Sequence, residues 1–265
     1  MKIAIHHRPN SYSEQWIEYC KQYNIQYKIV NAYSNDILTQ IADCDAFMWH
    51  HHLHQYKDFL FAKQLIYVIE KQLGKICYPD FDTCWHYDDK VGQKYLLESI
   101  GVALVPTHIF YTRTEALEWI RHSTFPKVFK LRSGASGTNV RLVKSEKEAQ
   151  RLAKKAFSSG FEKNNYFRWL ADRWAQYKRG GCHLKWLLMG LFTFHPYKER
   201  FHKEEMGYAY FQYFMPNNDY DIRVFTIGNR AVAKIRMNKL NDFRASGSDF
   251  HIFDKKNIEI GRAHV

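Results

Sequence analysis

The chain has 265 residues, of which 46% are hydrophobic and 25% charged, and its formal net charge is +12. This length exceeds one typical domain, and the composition is that of a globular protein with its own cores, which excludes disorder over most of the chain. No apolar run approaches the roughly 20 residues of a membrane-spanning helix. The positive charge favours polyanionic ligands, namely nucleic acid, a membrane surface or nucleotide phosphates, without choosing among them.

Two further features bear on location. Positions 1–10 turn polar too early for the apolar core of a secretory peptide. The five cysteines are scattered and contain no Cys-x-x-Cys pair, a pattern more typical of reduced thiols than of a disulfide framework. We therefore expect a cytoplasmic protein, with no membrane partner, whose cysteines serve in packing.

The first 80 residues alternate between short apolar strands and amphipathic helices, which is typical of a parallel α/β sheet. Strands are predicted over 2–6, 27–30, 46–49 and 75–78, and helices over 11–23, 35–44 and 58–73. Ligands bind at the carboxyl ends of such strands. We therefore expect His6, His7, Arg8 and the histidines of 50–54 to project from that edge.

Mixed helices and antiparallel hairpins are predicted in the rest of the chain. Helices are predicted over 88–100, 112–121 and 145–157, and extended segments over 106–111, 125–131, 140–143, 208–214, 221–227 and 231–237. We expect an N-terminal α/β domain over 1–85 and a second domain over 86–259 with an aromatic and basic insertion at about 160–205. Residues 260–265 resemble a translated sequencing-library adapter, so we expect a non-native tail on a gene fragment.

The segment from Ser133 to Asn139 is rich in small residues and lies between two predicted strands. Small side chains let successive backbone N–H groups surround an anion such as a phosphate. The pattern fits neither a P-loop nor a dinucleotide fingerprint, because both require the loop to open a helix. A glycine hairpin that binds no ligand is the alternative.

Lys130 precedes this loop within an otherwise apolar strand. An ammonium is costly to bury unless an anion compensates it, so its position beside the loop favours a phosphate contact. The alternative is a lysine that faces outward from an alternating strand.

The second hairpin concentrates charge on one face of its strands. By the period of two, Asp221 and Arg223 share a face of one strand, and Lys234 and Arg236 share a face of its partner. Cations so close repel one another unless an anion is bound. Arg244, in a segment of small and hydroxyl residues, is also suited to a phosphate or carboxylate.

Together these motifs resemble the ATP-grasp superfamily, in the branch that includes ligases adding glutamate to a ribosomal protein. The resemblance covers nearly the whole chain and rests on the order of Lys90, Lys130, 212–216, 221–223, Arg236 and 242–246. It implies an α+β fold in which a small N-terminal parallel α/β domain precedes two α+β lobes that hold ATP between them.

The resemblance also implies roles for individual residues. Lys90 and Lys130 would touch the ATP phosphates, and Ser133, Gly134, Ala135, Ser136 and Gly137 would close over them as a lid. The backbone of Gln212, Tyr213 and Phe214 would take the adenine, Asp221 would lie near the ribose, and Arg223 and Ser246 would complete the nucleotide-binding set. Arg236 and Arg244 would act catalytically, where the transferred phosphoryl group meets the substrate carboxylate.

The activity implied is that of a Mg-ATP-dependent ligase that joins a carboxylate to an amine or thiol through an acyl phosphate. Two departures from the family pattern stand out. Tyr213 occupies a position where relatives often have Glu, and the family's metal ligands are expected beyond the end of this chain, so no metal-binding residue is assigned. A catalytically inactive ATP-binding module is the first alternative, and a binder of nucleic acid or another anionic polymer is the second.

Two other groups of residues have competing interpretations. Adjacent histidines such as His50, His51, His52 and His54 point to opposite faces of a strand, which disfavours a metal site and leaves an acceptor-binding role or a plain surface role. The insertion at about 160–205 mixes basic and aromatic residues, as single-strand nucleic-acid binders do. We favour a helical insertion that packs its aromatic residues on the larger lobe.

Overall fold

The computed structural model describes residues 1–52, 55–134, 139–161, 174, 205–238, 242–245 and 251–253. The chain divides into two compact units, Met1–Tyr87 and Asp88–Val265.

The first unit is built on a four-stranded parallel sheet in the order β2-β1-β3-β4. Its strands are β1 (Lys2–His6), β2 (Gln26–Val30), β3 (Ala46–Trp49) and β4 (Ile76–Tyr78). Its helices are α1 (Tyr12–Gln22), α2 (Ile37–Gln40), α3 (Tyr56–Tyr67), which continues as a π-helical segment (Val68–Gln72), and α4 (Phe81–Cys84). The predicted parallel sheet is confirmed.

The helix predicted over 35–44 is wrong in length. The N–H groups of Ala42 and Cys44 donate to carbonyls three residues back, at Thr39 and Ile41, so the chain leaves α2 through tighter turns. The short α4 has no counterpart among the predicted helices.

Two hydrophobic cores cover the faces of this sheet, because alternate β3 residues point to opposite sides. Phe47 and Trp49 pack with α2 and α3 on one side. Ala46 packs with α1 residues Ile17 and Cys20 on the other. The four described cysteines, Cys20, Cys44, Cys77 and Cys84, are buried and free, whereas Cys182 lies outside the described residues.

A buried carboxylate ties together the segments that follow the strands of this sheet. Asp58, at the start of α3, is 2% exposed. It accepts hydrogen bonds from the Tyr33 hydroxyl and from the His52 N–H, the latter at 2.6 Å, and its Oδ2 lies 3.5 Å from Nη1 of Arg8. Because Arg8 follows β1, Tyr33 follows β2 and His52 follows β3, Asp58 holds three strand ends in place.

The second unit contains two antiparallel sheets. The first, in the order β5-β8-β6-β7, joins β5 (Thr107–Phe110), β6 (Lys127–Lys130), β7 (Val140–Val143) and β8 (Ala209–Tyr213). The second, in the order β11-β10-β9, joins β9 (Tyr220–Ile227), β10 (Arg230–Met237) and β11 (His251–Ile252). The helices are α5 (Lys90–Ser99), α6 (Arg113–Arg121) and α7 (Glu146–Ala156). Both predicted hairpins, β6–β7 and β9–β10, are confirmed.

Side-chain caps begin these helices where the sequence predicts them. Thr112 accepts a hydrogen bond from the Glu115 N–H at α6, and Ser145 accepts one from the Glu148 N–H at α7. Both helices pack on one face of the first sheet, where Ile120, Phe129 and Phe211 form the centre of a core. The opposite face of that sheet is therefore left for other contacts.

The insertion predicted at about 160–205 lies almost entirely outside the described residues. Among the helices that are described, none combines the length and the apolar character required to cross a bilayer.

We predict that Asp58→Ala lowers the free energy of unfolding by about 3 kcal/mol, because the hydroxyl, the N–H and the guanidinium lose a shared buried acceptor. Denaturant unfolding measured by circular dichroism gives this value. The matched control is Asp82→Ala, since the Asp82 side chain is 78% exposed, and this change should cost less than about 1 kcal/mol. Equal losses in the two variants would show that Asp58 does not hold the strand ends.

Candidate functional site

The residues of β6 divide between the two faces of the first sheet of the second unit. Phe129 belongs to the core formed with α6 and α7, so its neighbours Val128 and Lys130 face the other side. Lys130 lies directly opposite Tyr210 of β8, and Val128 lies opposite Gln212. The Lys130 ammonium is thereby placed on the face of the sheet that α6 and α7 leave uncovered.

Lys130 is partly buried, and its nearest polar partner is neutral. Its Nζ donates a 2.5 Å hydrogen bond to Oε1 of Gln212. Desolvation, assisted by the nearby charge of Lys90, lowers the pKa of Lys130 to about 8. Lys130 thus faces away from the core formed with α6 and α7 but is not freely exposed, and the group that accepts its hydrogen bond is an amide oxygen rather than an anion.

The start of the glycine-rich segment is anchored by the residues that begin α5. The Gly134 N–H donates to Oδ1 of Asp88 at 2.8 Å, and the Arg132 guanidinium forms an ion pair with Asp89, with Nη2 2.5 Å from Oδ2. Lys90 uses both of its nitrogens, since its N–H donates to the Arg132 carbonyl and its Nζ to the Gly134 carbonyl, each at 2.9 Å. Lys90 is thus held against the start of the glycine-rich segment.

A second set of contacts holds this turn from the side of β8. The Ser133 hydroxyl donates to Glu205. The Tyr208 hydroxyl donates to the other oxygen of Glu205 at 2.8 Å and accepts the Arg132 N–H at 2.6 Å. Desolvation and the charge of Glu205 raise the pKa of Tyr208 well above its usual range, so the phenol stays protonated.

The residues expected to bind adenine are already engaged within the sheet. The Gln212 side chain contacts Lys130 and Thr107, and the Tyr213 N–H donates to the Pro106 carbonyl at 2.9 Å. Lys127 is 3% exposed, and its ammonium nitrogen lies 3.5 Å from the centroid of the Tyr213 ring. Phe214 stacks edge-on against Phe243, with ring centroids 5.9 Å apart.

The charged face predicted on the second hairpin is present. Asp221 lies opposite Arg236 and Arg223 lies opposite Lys234, so all four side chains share one face. Arg236 forms a two-point ion pair with Asp221, in which Nε lies 2.6 Å from Oδ1. Arg223 remains beside Lys234, and burial together with the charge of Arg236 lowers its pKa. This face therefore retains an excess of positive charge that suits an anion.

Arg244 is oriented by a local ion pair with Asp242, in which Nη2 lies 2.6 Å from Oδ2. Ala135, Ser136, Gly137 and Ser246, which the sequence analysis also assigns, lie outside the described residues.

Five residues of the site were not predicted from the sequence: Asp88, Asp89, Arg132, Glu205 and Tyr208. Asp88 and Asp89 precede Lys90, and a search for N-caps would have found Asp89, whose side chain accepts the Gly92 N–H. Glu205 and Tyr208 carry no such local signal, because they reach the turn from more than 70 residues away in sequence.

The histidines of the first unit occupy different faces of its sheet, as expected. His50 contacts Tyr12 of α1, whereas His51 lies between Trp49 and Tyr87. Burial lowers the pKa of His51 to about 4. No cluster of three or more metal-ligating side chains occurs among the residues that the structure describes.

The fold of the chain is similar to that of solved structures. A RimK domain protein with the ATP-grasp fold from Sphaerobacter thermophilus matches 89% of this chain over 73% of its own, with a TM-score of 0.51 and 12% identity. The chain has the ATP-grasp fold. A biotin carboxylase from Campylobacter jejuni, solved as a β,γ-ATP complex, matches 90% of this chain over 52% of its own, with a TM-score of 0.51 and 14% identity.

No protein-family model and no curated protein matches the sequence, so the likeness is one of structure. The ATP-grasp resemblance and the α+β class predicted from the sequence are confirmed.

Because the pKa of Lys130 is lowered in the folded protein, we predict that the free energy of unfolding depends on pH. The folded-state pKa of about 8 lies below the ordinary value of 10.5, so between these pH values the Lys130 side chain is protonated in the unfolded chain and neutral in the folded one. The stability of the wild-type protein therefore rises with pH across this range, and the full cost of burying the charge is present below pH 8. We expect the stability of Lys130→Met relative to wild type to fall by about 3 kcal/mol as the pH rises from below 8 to above 10.5.

Urea unfolding of the two proteins across this pH range measures the difference. Lys144→Met, which changes an exposed lysine, serves as the control and should show no such trend. A pH-independent difference for Lys130→Met would mean that the Lys130 ammonium is not desolvated.

Proposed function

We propose that the protein binds ATP and acts as an ATP-dependent ligase that joins a carboxylate to an amine or thiol through an acyl phosphate. The observation that supports this most strongly is the partly buried ammonium of Lys130, which is hydrogen-bonded to a neutral amide and lies beside the charge of Lys90. A desolvated cation with a neutral partner attracts an anion strongly, because little water competes for it. The anion that we propose to bind here is the triphosphate of ATP.

The residues around the glycine-rich turn suit phosphates by position. Asp88, Asp89 and Glu205 each bind a group of the turn itself, through the Gly134 N–H, the Arg132 guanidinium and the Ser133 hydroxyl. Each of these carboxylates holds the turn through at least one oxygen, while the lysines provide the positive charge. Phosphoryl transfer depends mainly on such positioning and charge stabilisation.

In the proposed reaction, a substrate carboxylate oxygen attacks the γ-phosphorus and the bond to the β,γ-bridging oxygen breaks, giving an acyl phosphate and ADP. The amine or thiol then attacks the acyl carbon, phosphate leaves, and the proton of the nucleophile passes to solvent. We assign Arg236 and Arg244 to the carboxylate and the transferred phosphoryl group. Their guanidinium planes are oriented in advance by Asp221 and Asp242.

Magnesium is proposed to enter with ATP and to neutralise phosphate charge. The described residues offer no carboxylate cluster that fits a metal ion, so none of them is assigned to it. A cytoplasmic location is part of the proposal and is supported by the four free, buried cysteines.

We predict that MgATP raises the thermal unfolding midpoint of the wild-type protein and that this shift disappears in Lys130→Met, because the variant lacks the cation that faces the phosphates. Differential scanning fluorimetry over a range of ATP concentrations measures the shift. Lys127→Met is the matched control, since Lys127 lies on the same strand but faces the Tyr213 ring. Retention of the full ATP shift in Lys130→Met would contradict the phosphate assignment.

The ligase activity predicts a trapped product. With MgATP, hydroxylamine and a panel of carboxylic acids, wild-type protein should form a hydroxamate and ADP in equal amounts, because hydroxylamine captures an acyl phosphate. Arg244→Gln should bind ATP within about threefold of wild type and lose most of the hydroxamate, as expected for a residue that acts on the transferred group. ATP binding without ADP formation for any acid would favour an inactive ATP-binding module.

A further inference from the structure

The Gln212 side chain connects Lys130 to a third strand of the sheet. Its Oε1 accepts a 2.5 Å hydrogen bond from Nζ of Lys130, and its Nε2 donates one to Oγ1 of Thr107 at 2.9 Å. We propose that Gln212 is a positioning residue, oriented by Thr107, that holds the Lys130 ammonium toward the phosphates of ATP without neutralising its charge. The role toward ATP rests on the proposed function, whereas the role toward Lys130 does not.

The direction of each hydrogen bond follows from Thr107. Its hydroxyl donates to the Val105 carbonyl at 2.7 Å, so the oxygen presents a lone pair to Gln212. Only the NH₂ group of the amide can use that lone pair, and the carbonyl oxygen must then face Lys130. A flipped amide would place two donors, NH₂ and NH₃⁺, against each other.

The backbone register makes this arrangement rigid. Thr107 and Gln212 are direct partners across β5 and β8, and Lys130 pairs with Tyr210, two residues before Gln212. All of these side chains therefore share one face, and the Gln212 amide spans the diagonal to Lys130. Three adjacent strands fix the position of the ammonium.

A neutral acceptor is the important feature of this contact. Among the residues that the structure describes, the groups beside Lys130 are the Lys90 ammonium, the Gln212 amide and the Tyr210 phenol, whose pKa is raised by burial so that it stays neutral. A carboxylate at position 212 would form a permanent ion pair with Lys130 and compete with phosphate. The amide uses one of the three N–H bonds of the ammonium and leaves its full charge for the ligand.

The assignment adds to the role that the family resemblance implies for Gln212. Both polar ends of its side chain are engaged by Lys130 and Thr107, so the side chain acts on the phosphate-facing lysine, in addition to the adenine contact that the resemblance implies for the Gln212 backbone.

The test measures the pKa of Lys130 directly and without ATP. The acetylation rate of Lys130 is followed against pH by mass spectrometry in wild type, Gln212→Met and Gln212→Glu. We expect Gln212→Glu to raise this pKa by about 1 or more, because it adds an ion pair, and Gln212→Met to lower it, because it removes the acceptor. Gln26→Met, a change at an exposed glutamine of β2, is the control and should leave it unchanged.

ATP affinity is measured on the same variants by isothermal titration calorimetry. Both Gln212→Met and Gln212→Glu should weaken ATP binding about tenfold. Thr107→Val should also lower the pKa of Lys130 and weaken ATP binding. Thr107→Ser, which keeps the hydroxyl, should leave both the pKa and the ATP affinity at their wild-type values. These two Thr107 variants test the contacts from Thr107 through Gln212 to Lys130 even where a Gln212 variant fails to fold.

An unchanged Lys130 pKa in Gln212→Glu and in Thr107→Val would overturn the inference, whatever happens to ATP binding. If wild-type protein bound no ATP, the proposed function would fail, and the acetylation result would still decide whether Gln212 positions Lys130.

Discussion

The desolvated ammonium of Lys130 is the feature on which the rest of the second unit depends. It lies on a strand whose other face is a closed hydrophobic core, and no carboxylate is paired with it among the described residues. Such a charge is unfavourable in the unliganded protein, as its lowered pKa shows. An anion bound at that face of the sheet, as proposed for ATP, would compensate the charge.

Lysines and arginines of this unit are held in different ways, and the difference matches their chemistry. Arg236 and Arg244 each form an ion pair with an aspartate, which fixes the plane of the guanidinium. Lys130 is held by an amide instead. Because an ammonium is a compact charge without a plane to orient, a neutral partner preserves the attraction that makes it useful.

Local patterns in the sequence predicted the parts of the fold that depend on local forces. The strand containing Lys130, the caps at Thr112 and Ser145, and the shared face of Asp221 and Arg223 all follow from period and spacing. Contacts such as Ser133 with Glu205, or Lys130 with Gln212, join positions 72 and 82 residues apart. They depend on strand order, which no local pattern contains, so these two contacts were not predictable from spacing.

The two lysines of β6 show how one strand can give similar side chains different uses. Lys127 is 3% exposed, and its ammonium lies 3.5 Å from the Tyr213 ring, whose π face stabilises it within the sheet. Lys130, three residues later, points to the opposite face, where its partner is a single amide oxygen. The aromatic ring satisfies Lys127 without a ligand, whereas Lys130 retains an unbalanced charge. The alternation of the strand therefore separates a structural lysine from one whose surroundings suit an anion.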